Sequence, residues 1–178
     1  MIEVEIKARA SPLAVLKRLR ELGAAYEKSV KQSDMFFNAP HRDFAVTDEA
    51  LRIRKQGDKA YLTYKGKKMD TKSKTRKEVE VEVNSAEKME DLLLSLGFRK
   101  TLEVSKTREI YHIGDAEVSI DKVDGLGDFV ELETRVEVES EAPEKVEGLI
   151  RQLRDLGVDG ELIQESYLEM LLAKKKSS

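Results

Sequence analysis

Two kinds of charged residue recur at a spacing of two in this sequence. Carboxylates do so at Glu3-x-Glu5 and Glu131-x-Glu133, and cations at Arg52-x-Arg54 and Lys106-x-Arg108. On a β-strand, side chains two apart share one face, roughly 6.5 Å apart along the chain. Glu3 and Glu5 can therefore share a hard divalent cation or hold two adjacent ones, with Lys7 and Arg9 serving an anion beside it. Arginine forks and lysine ammonium groups suit phosphate oxygens, while Mg²⁺ or Mn²⁺ takes carboxylates and bridges to those same oxygens. Arg52, Arg54, Lys65, Lys106 and Arg108 supply the first set; Glu3, Glu5, Glu131 and Glu133 supply the second. Together they are the ingredients of phosphoryl chemistry.

The elements that position these residues are strands with one charged and one apolar face. Ile2, Val4 and Ile6 lie opposite Glu3, Glu5 and Lys7; Leu51 and Ile53 alternate with Arg52 and Arg54. Val79, Val81 and Val83 alternate with Glu78, Glu80 and Glu82, and Val130 and Leu132 with Glu131 and Glu133 on a strand expected over 129–138. Further strands are expected over 33–38, 59–65, 104–111 and 117–123, joined by turns at Gly57-Asp58 and Gly114-Asp115. Leucine-rich helical spacing follows Ser11-Pro12, Asn84-Ser85 and Pro143, each run ending at a glycine (Gly23, Gly97, Gly157), and a short helix is expected over 166–173. Strand with Glu-x-Glu, Leu-rich helix and Leu-Gly thus occur in succession three times, at 3–23, 78–97 and 131–157, with unequal periods.

Helices bury their leucine stripes against apolar strand faces, which turns the charged faces away from them. An open sheet wetted on its charged face, or a sheet curled so that this face lines a cavity, would both satisfy that. The eight short strands with mostly hairpin-length connections favour the curled form. The loop 66–75 carries Lys67, Lys68, Lys72 and Lys74 against a single acid, Asp70, and reads either as a solvated loop or as a basic lid over an anionic ligand.

Composition narrows the chemistry. No cysteine is present, which removes disulfides, zinc-thiolate sites, iron-sulfur clusters and thiol nucleophiles. With only His41 and His112, a metal must be held mainly by oxygen. The net charge of −3 argues against a general nucleic-acid-coating protein, although 38% charged residues leave material for a local basic patch. There is no apolar signal region and no membrane-length apolar run, so a cytoplasmic protein is expected. Gly-x-x-x-x-Gly-Lys-Ser/Thr is absent, and Gly125-x-Gly127 lacks the strand-to-helix context of a dinucleotide fingerprint.

Glu3-x-Glu5-x-Lys7, Arg52-x-Arg54, Lys65, Lys106-x-Arg108, and Asp121 followed by Gly125-Leu126-Gly127 and Glu131-x-Glu133 resemble the CYTH superfamily, the triphosphate tunnel metalloenzymes, over about residues 1–170. Gln32-x-Asp34-x-Phe36-Phe37 and the run from Thr47 to Arg54 look most like its class IV adenylyl cyclase branch. The resemblance implies an α+β fold: a closed eight-stranded antiparallel β-barrel with a charged tunnel and helices packed outside, as one domain over 1–173 before a disordered basic tail, 174–178. It also implies that Glu3, Glu5, Glu131 and Glu133 bind Mg²⁺ or Mn²⁺, and that Lys7, Arg52, Arg54, Lys65, Lys106 and Arg108 bind triphosphate, with Arg76 also tunnel-facing. Lys7, Arg54 and Asp121 become the catalytic candidates.

The implied activities are conversion of ATP to cyclic AMP and pyrophosphate, or hydrolysis of inorganic triphosphate, thiamine triphosphate or a nucleoside triphosphate. A non-catalytic polyphosphate or nucleotide binder would use the same cradle. The expected partner is a small-molecule triphosphate, with no membrane and no nucleic acid, and the cyclase resemblance makes a homodimer plausible.

Overall fold

The computed structural model describes residues 2–71 and 73–177. Among them, eight strands form one closed barrel: β1 (Ile2–Arg9), β2 (Ala25–Asn38), β3 (Ala50–Gln56), β4 (Lys59–Lys65), β5 (Arg76–Val83), β6 (Arg99–Ile113), β7 (Ala116–Val123) and β8 (Gly127–Val136). Around the barrel the order is β1-β5-β4-β3-β2-β6-β7-β8, with antiparallel neighbours throughout. β5, β1 and β8, the strands of the threefold sequence pattern, are adjacent and make one continuous wall.

The helices are α1 (Pro12–Glu21), the single turn α2 (Phe44–Thr47), α3 (Ala86–Ser95), α4 (Ala142–Asp155) and α5 (Tyr167–Lys176). Pro12 starts α1 where a missing N–H costs nothing, and Ser85 caps α3 by accepting from Lys88 N at 3.2 Å. α1 and α4 cover the outer faces of β1, β7 and β8, burying Val15, Leu19, Val146, Leu149 and Leu153 against Val4, Ile6, Val118 and Leu132. α3 seals a second cluster with Leu93 among Met35, Phe37, Leu51 and Ile53. Burying a leucine of this kind stabilises by about 1.5–3 kcal/mol.

The structure departs from the sequence expectation in four places. β2 and β6 run to 14 and 15 residues, well beyond 33–38 and 104–111, because their polar outer ends pair with each other where no apolar alternation marks them. β8 occupies 127–136 rather than 129–138, since Gly127 (φ 96°) already pairs with Val123 and Val138 lies past the last pair. α3 packs on β3, β4 and β6 rather than on the strand that precedes it, leaving Val79 and Val81 of β5 half exposed. Finally, α5 caps one end of the barrel. Val104, Val123 and Phe129, on the inward faces of β6, β7 and β8, close against Tyr167. A full capping box fixes the start of α5: Ser166 Oγ accepts from Glu169 N at 3.1 Å, and the Glu169 carboxylate accepts from Ser166 N at 2.6 Å. The helix continues to Lys176, into the segment expected as a tail, and Lys174 Nζ donates to the Gly125 carbonyl at 2.7 Å; Ser178 lies outside the described residues.

Candidate active site

A cavity of about 390 Å³ runs inside the barrel. Glu3, Glu5, Arg52, Arg54, Lys65, Arg76, Lys106, Arg108, Glu131 and Glu133 all line it. Cross-strand register brings them together: Glu5 pairs with Glu133, Lys7 with Glu131, Glu3 with Arg76, Arg54 with Asp34 and Arg108 with Asp121. Lys7 and Asp121 do not reach the cavity surface. Both are fully buried behind its wall.

One side of the cavity is a set of closed ion pairs. Arg54 grips Asp34 with two bonds, Nε to Oδ1 and Nη2 to Oδ2, each 2.7 Å. Arg52 reaches the same carboxylate at 3.5 Å and donates to Thr63 Oγ1 at 3.1 Å. Burial alone would raise the Asp34 carboxyl, but Arg54 and Arg52 beside it hold it far below the usual carboxylate range. Asp121 repeats the arrangement. It accepts from Lys106 Nζ at 2.8 Å, from Arg108 Nε at 2.7 Å and Nη2 at 2.6 Å, and from the Tyr167 hydroxyl at 2.9 Å. Here too burial acts upward, and Arg108 and Lys106 more than offset it. Arg108 Nη2 also donates to Glu131, whose carboxyl is held well below its ordinary value against the pull of burial.

The opposite side is rich in acids. Lys65 Nζ donates to Glu3 Oε2 at 2.5 Å and pairs with Glu78 at 2.7 Å, while Lys74 Nζ donates to Glu5 Oε1 at 2.5 Å. Glu133 has as its nearest cation the half-exposed Arg135, at 3.5 Å. Burial, then the charges of Glu3 and Glu117, push the Glu133 carboxyl up to about 8, with Lys65 only partly opposing and Glu5 adding to the rise. Carboxylates opposite one another on paired strands repel. A hard divalent cation among these oxygens would remove that repulsion, so the donor set fits Mg²⁺ or Mn²⁺. Near this end of the row, Glu117 also lies with Glu27 and His112 so that their ligand atoms fall within 4.8 Å of one another, with His112 Nε2 and Glu27 Oε2 2.7 Å apart.

Two residues beside the cavity have distinct states. Lys7 Nζ donates to the Glu165 carbonyl and sits 4.3 Å from the centre of the Tyr167 ring. Burial, followed by the nearby Lys74, lowers its ammonium to about 7, against the opposing pull of Glu131 and Glu5. Arg52 Nε is buried with no hydrogen-bond partner among the described residues, a donor aimed at nothing the protein itself supplies.

The described part of the loop, residues 66–71 and 73–75, belongs to the wall. Lys74 N donates to the Glu5 carbonyl at 2.8 Å, and Asp48 accepts from Lys68 N at 2.9 Å and Lys68 Nζ at 2.5 Å. Lys72 lies outside the described residues. Lys74 is thus brought to the site from a stretch that sequence alone leaves open between solvated loop and lid. Asp34 carried a weak signal, the polar alternation Gln32-x-Asp34 at the edge of an expected strand; Tyr167 and Glu117 gave none as site residues.

A closed antiparallel barrel around a cavity lined by carboxylates and cations defines a class of protein rather than a reaction. The CYTH domain family matches residues 1–167, and the chain belongs to that family. It is 42% identical over 172 residues to a Methanocaldococcus jannaschii protein named "Putative adenylate cyclase", covering 96% of this chain and 98% of that one. The adenylate cyclase CyaB of Aeromonas hydrophila is 31% identical over 128 residues, 71% of this chain and 62% of its own. The solved structure of the PH1819 protein of Pyrococcus horikoshii superposes with a TM-score of 0.90 at 43% identity, covering 97% and 99% of the two chains. Among the described residues no helix is long and apolar enough to cross a membrane.

Proposed function

We propose that this protein is a divalent-metal-dependent enzyme that acts on a triphosphate inside the barrel, of adenylyl cyclase type, converting ATP to cyclic AMP and pyrophosphate. The observation that carries this reading is the meeting, within one cavity, of an acid row whose member Glu133 is crowded by Glu3 and Glu117 with a bank of arginine and lysine donors that includes the unpartnered Arg52 Nε. The 42% identical relative bears an adenylate cyclase name, which favours cyclisation over hydrolysis.

Glu3, Glu5, Glu131 and Glu133 would hold Mg²⁺ or Mn²⁺, which when bound supplies a Lewis acid that draws charge from phosphate oxygens. Arg52, Arg54, Lys65, Arg76, Lys106 and Arg108 bind the phosphate chain, and the donors of all but Arg76 are fixed beforehand by Asp34, Asp121, Glu3 and Glu131. That prior fixing is what lets them stabilise developing negative charge without reorganising. In cyclisation the ribose 3′-hydroxyl gives up its proton to solvent, its oxygen attacks the α-phosphorus, and pyrophosphate departs with the bonding pair. Arg52 and Arg54 stabilise the departing charge. Lys7 and Asp121 act from behind the wall as positioning residues, Asp121 on Lys106 and Arg108, and Lys7 beneath Glu131 and Glu5.

Purified protein with Mg²⁺ or Mn²⁺ and, in separate reactions, ATP, inorganic triphosphate and thiamine triphosphate tests the reading through its products. Cyclic AMP with pyrophosphate is the expected outcome. Orthophosphate with a diphosphate product would replace cyclase by triphosphatase, and binding without any product would leave a non-catalytic binder.

A further inference from the structure

Gln32 is 96% buried, at 4% exposure, and lines the same cavity. Its Nε2 donates to Gln56 Oε1 at 2.7 Å, and its Oε1 has no hydrogen-bond partner among the described residues. On β2 it is the next inward residue after Asp34, flanked by Gln56 on β3 and Lys106 on β6. It therefore stands at the edge of the cation bank, on the side of the β3–β4 hairpin, where Tyr61 also borders the cavity.

A buried amide oxygen left unpaired is costly, and such a group in a binding cavity points to a ligand atom that satisfies it. The chemistry of that ligand atom is constrained. An ionised phosphate offers only acceptors, and two facing oxygens repel, so Gln32 Oε1 cannot read the triphosphate chain that the lysines and arginines around it read. It needs an O–H or N–H. Bare triphosphate has none to give, whereas a nucleoside triphosphate carries ribose hydroxyls and amino groups on its base. With the Gln56 oxygen accepting from Gln32 Nε2, the Gln32 oxygen is the end left to the cavity, and one hydrogen bond there discriminates between ligands that have the donor and ligands that lack it.

We propose that Gln32, held by Gln56, is a specificity-determining residue that accepts a hydrogen bond from a hydroxyl or amino group of the nucleoside attached to the triphosphate, so that the tunnel prefers nucleoside triphosphates to inorganic triphosphate. This rests on the triphosphate reading above and adds to it the residue that recognises the nucleoside.

Calorimetric titration of the full chain, with Ca²⁺ as the divalent cation, would compare ATP, inorganic triphosphate, 2′-deoxy-ATP, 3′-deoxy-ATP and the purine riboside triphosphate that lacks the amino group. In the unmodified protein one of the three analogues should bind about tenfold more weakly than ATP. Gln32→Leu should weaken ATP by a similar factor, leave inorganic triphosphate within about twofold, and lose the distinction between ATP and that analogue. If all three analogues bind like ATP, or if Gln32→Leu weakens ATP and inorganic triphosphate equally, the inference is overturned; a water or a metal-bound water on Gln32 would give the second result. The analogue series needs no variant, so misfolding of Gln32→Leu would not shield the proposal. Failure of the unmodified protein to bind either ATP or inorganic triphosphate would instead overturn the triphosphate reading itself, and this inference with it.

Discussion

Asp34 and Glu133 face the same cavity, and burial raises the cost of charge on both, yet their carboxyls move in opposite directions. Asp34 is held far down by Arg54 and Arg52, whereas Glu133 is pushed up to about 8 by burial and by Glu3 and Glu117. The difference lies in the company across the strand pair: β2 sets Asp34 opposite Arg54, and β8 sets Glu133 between Glu5 and Glu117. An acid whose charge is already matched serves structure. On the function proposed above, an acid that is crowded by its own kind is the one that takes a cation from outside.

The strongest way to break this comparison is at Glu133. Glu133→Gln should lower turnover of the triphosphate substrate by about a thousandfold, the kinetic equivalent of the several kcal/mol a Lewis acid supplies, while raising the melting temperature of the metal-free protein at pH 7. Initial rates and thermal unfolding on the same preparation check both, and retained turnover would remove Glu133 from the site. At the other pole, Asp34→Ala should leave the largely buried Arg54 without its carboxylate, while Arg52 keeps Glu80 at 3.6 Å, and cost about 3 kcal/mol of stability, measured by denaturant unfolding. A loss well under 1 kcal/mol would show that the pair is as dispensable as a surface bridge.

The pH dependence sharpens the contrast. Because the folded Glu133 carboxyl titrates near 8 rather than at its ordinary 4.5, the folded state binds more protons than the unfolded state between those values. The Glu133 contribution to stability therefore falls as pH rises from 5 to 7. Above 7 the lowered Lys7 ammonium works the other way: its folded state releases the proton first, so its contribution improves with pH. Metal-free protein should melt lower at pH 7 than at pH 5, Mn²⁺ should raise the midpoint more at pH 7, and Glu133→Gln should flatten both responses. The smallest effect is expected at Asp121, an acid of the Asp34 kind. Tyr167→Phe removes one hydrogen bond but leaves Lys106 and Arg108 in place, so about 1 kcal/mol should be lost. A much larger loss would mean that the α5 cap, rather than the ion pairs, holds that acid.

Much of this arrangement was legible in the sequence. The alternation of Glu3, Glu5 and Lys7 with Ile2, Val4 and Ile6 fixes which face of β1 is charged, since a strand has a period of two. The same rule separates Arg52 and Arg54 from Leu51 and Ile53, and serine, proline and glycine signals mark the helix ends to within a few residues. A bundle of charged strand faces that must turn away from leucine-rich helices leaves few shapes besides a cavity. What local pattern could not report is who meets whom. Asp34 and Glu133 are both acids on alternating strands, and only closure of the barrel gives one two arginines and the other two glutamates. Lys74 comes to Glu5 from a loop with no periodicity, Tyr167 reaches Asp121 across 46 residues, and α3 covers β3, β4 and β6, leaving β5 partly bare. Face and period are properties of one strand and are written in its own residues; charge state, partner and burial are properties of neighbours far away in the chain, which exist only once the barrel has closed.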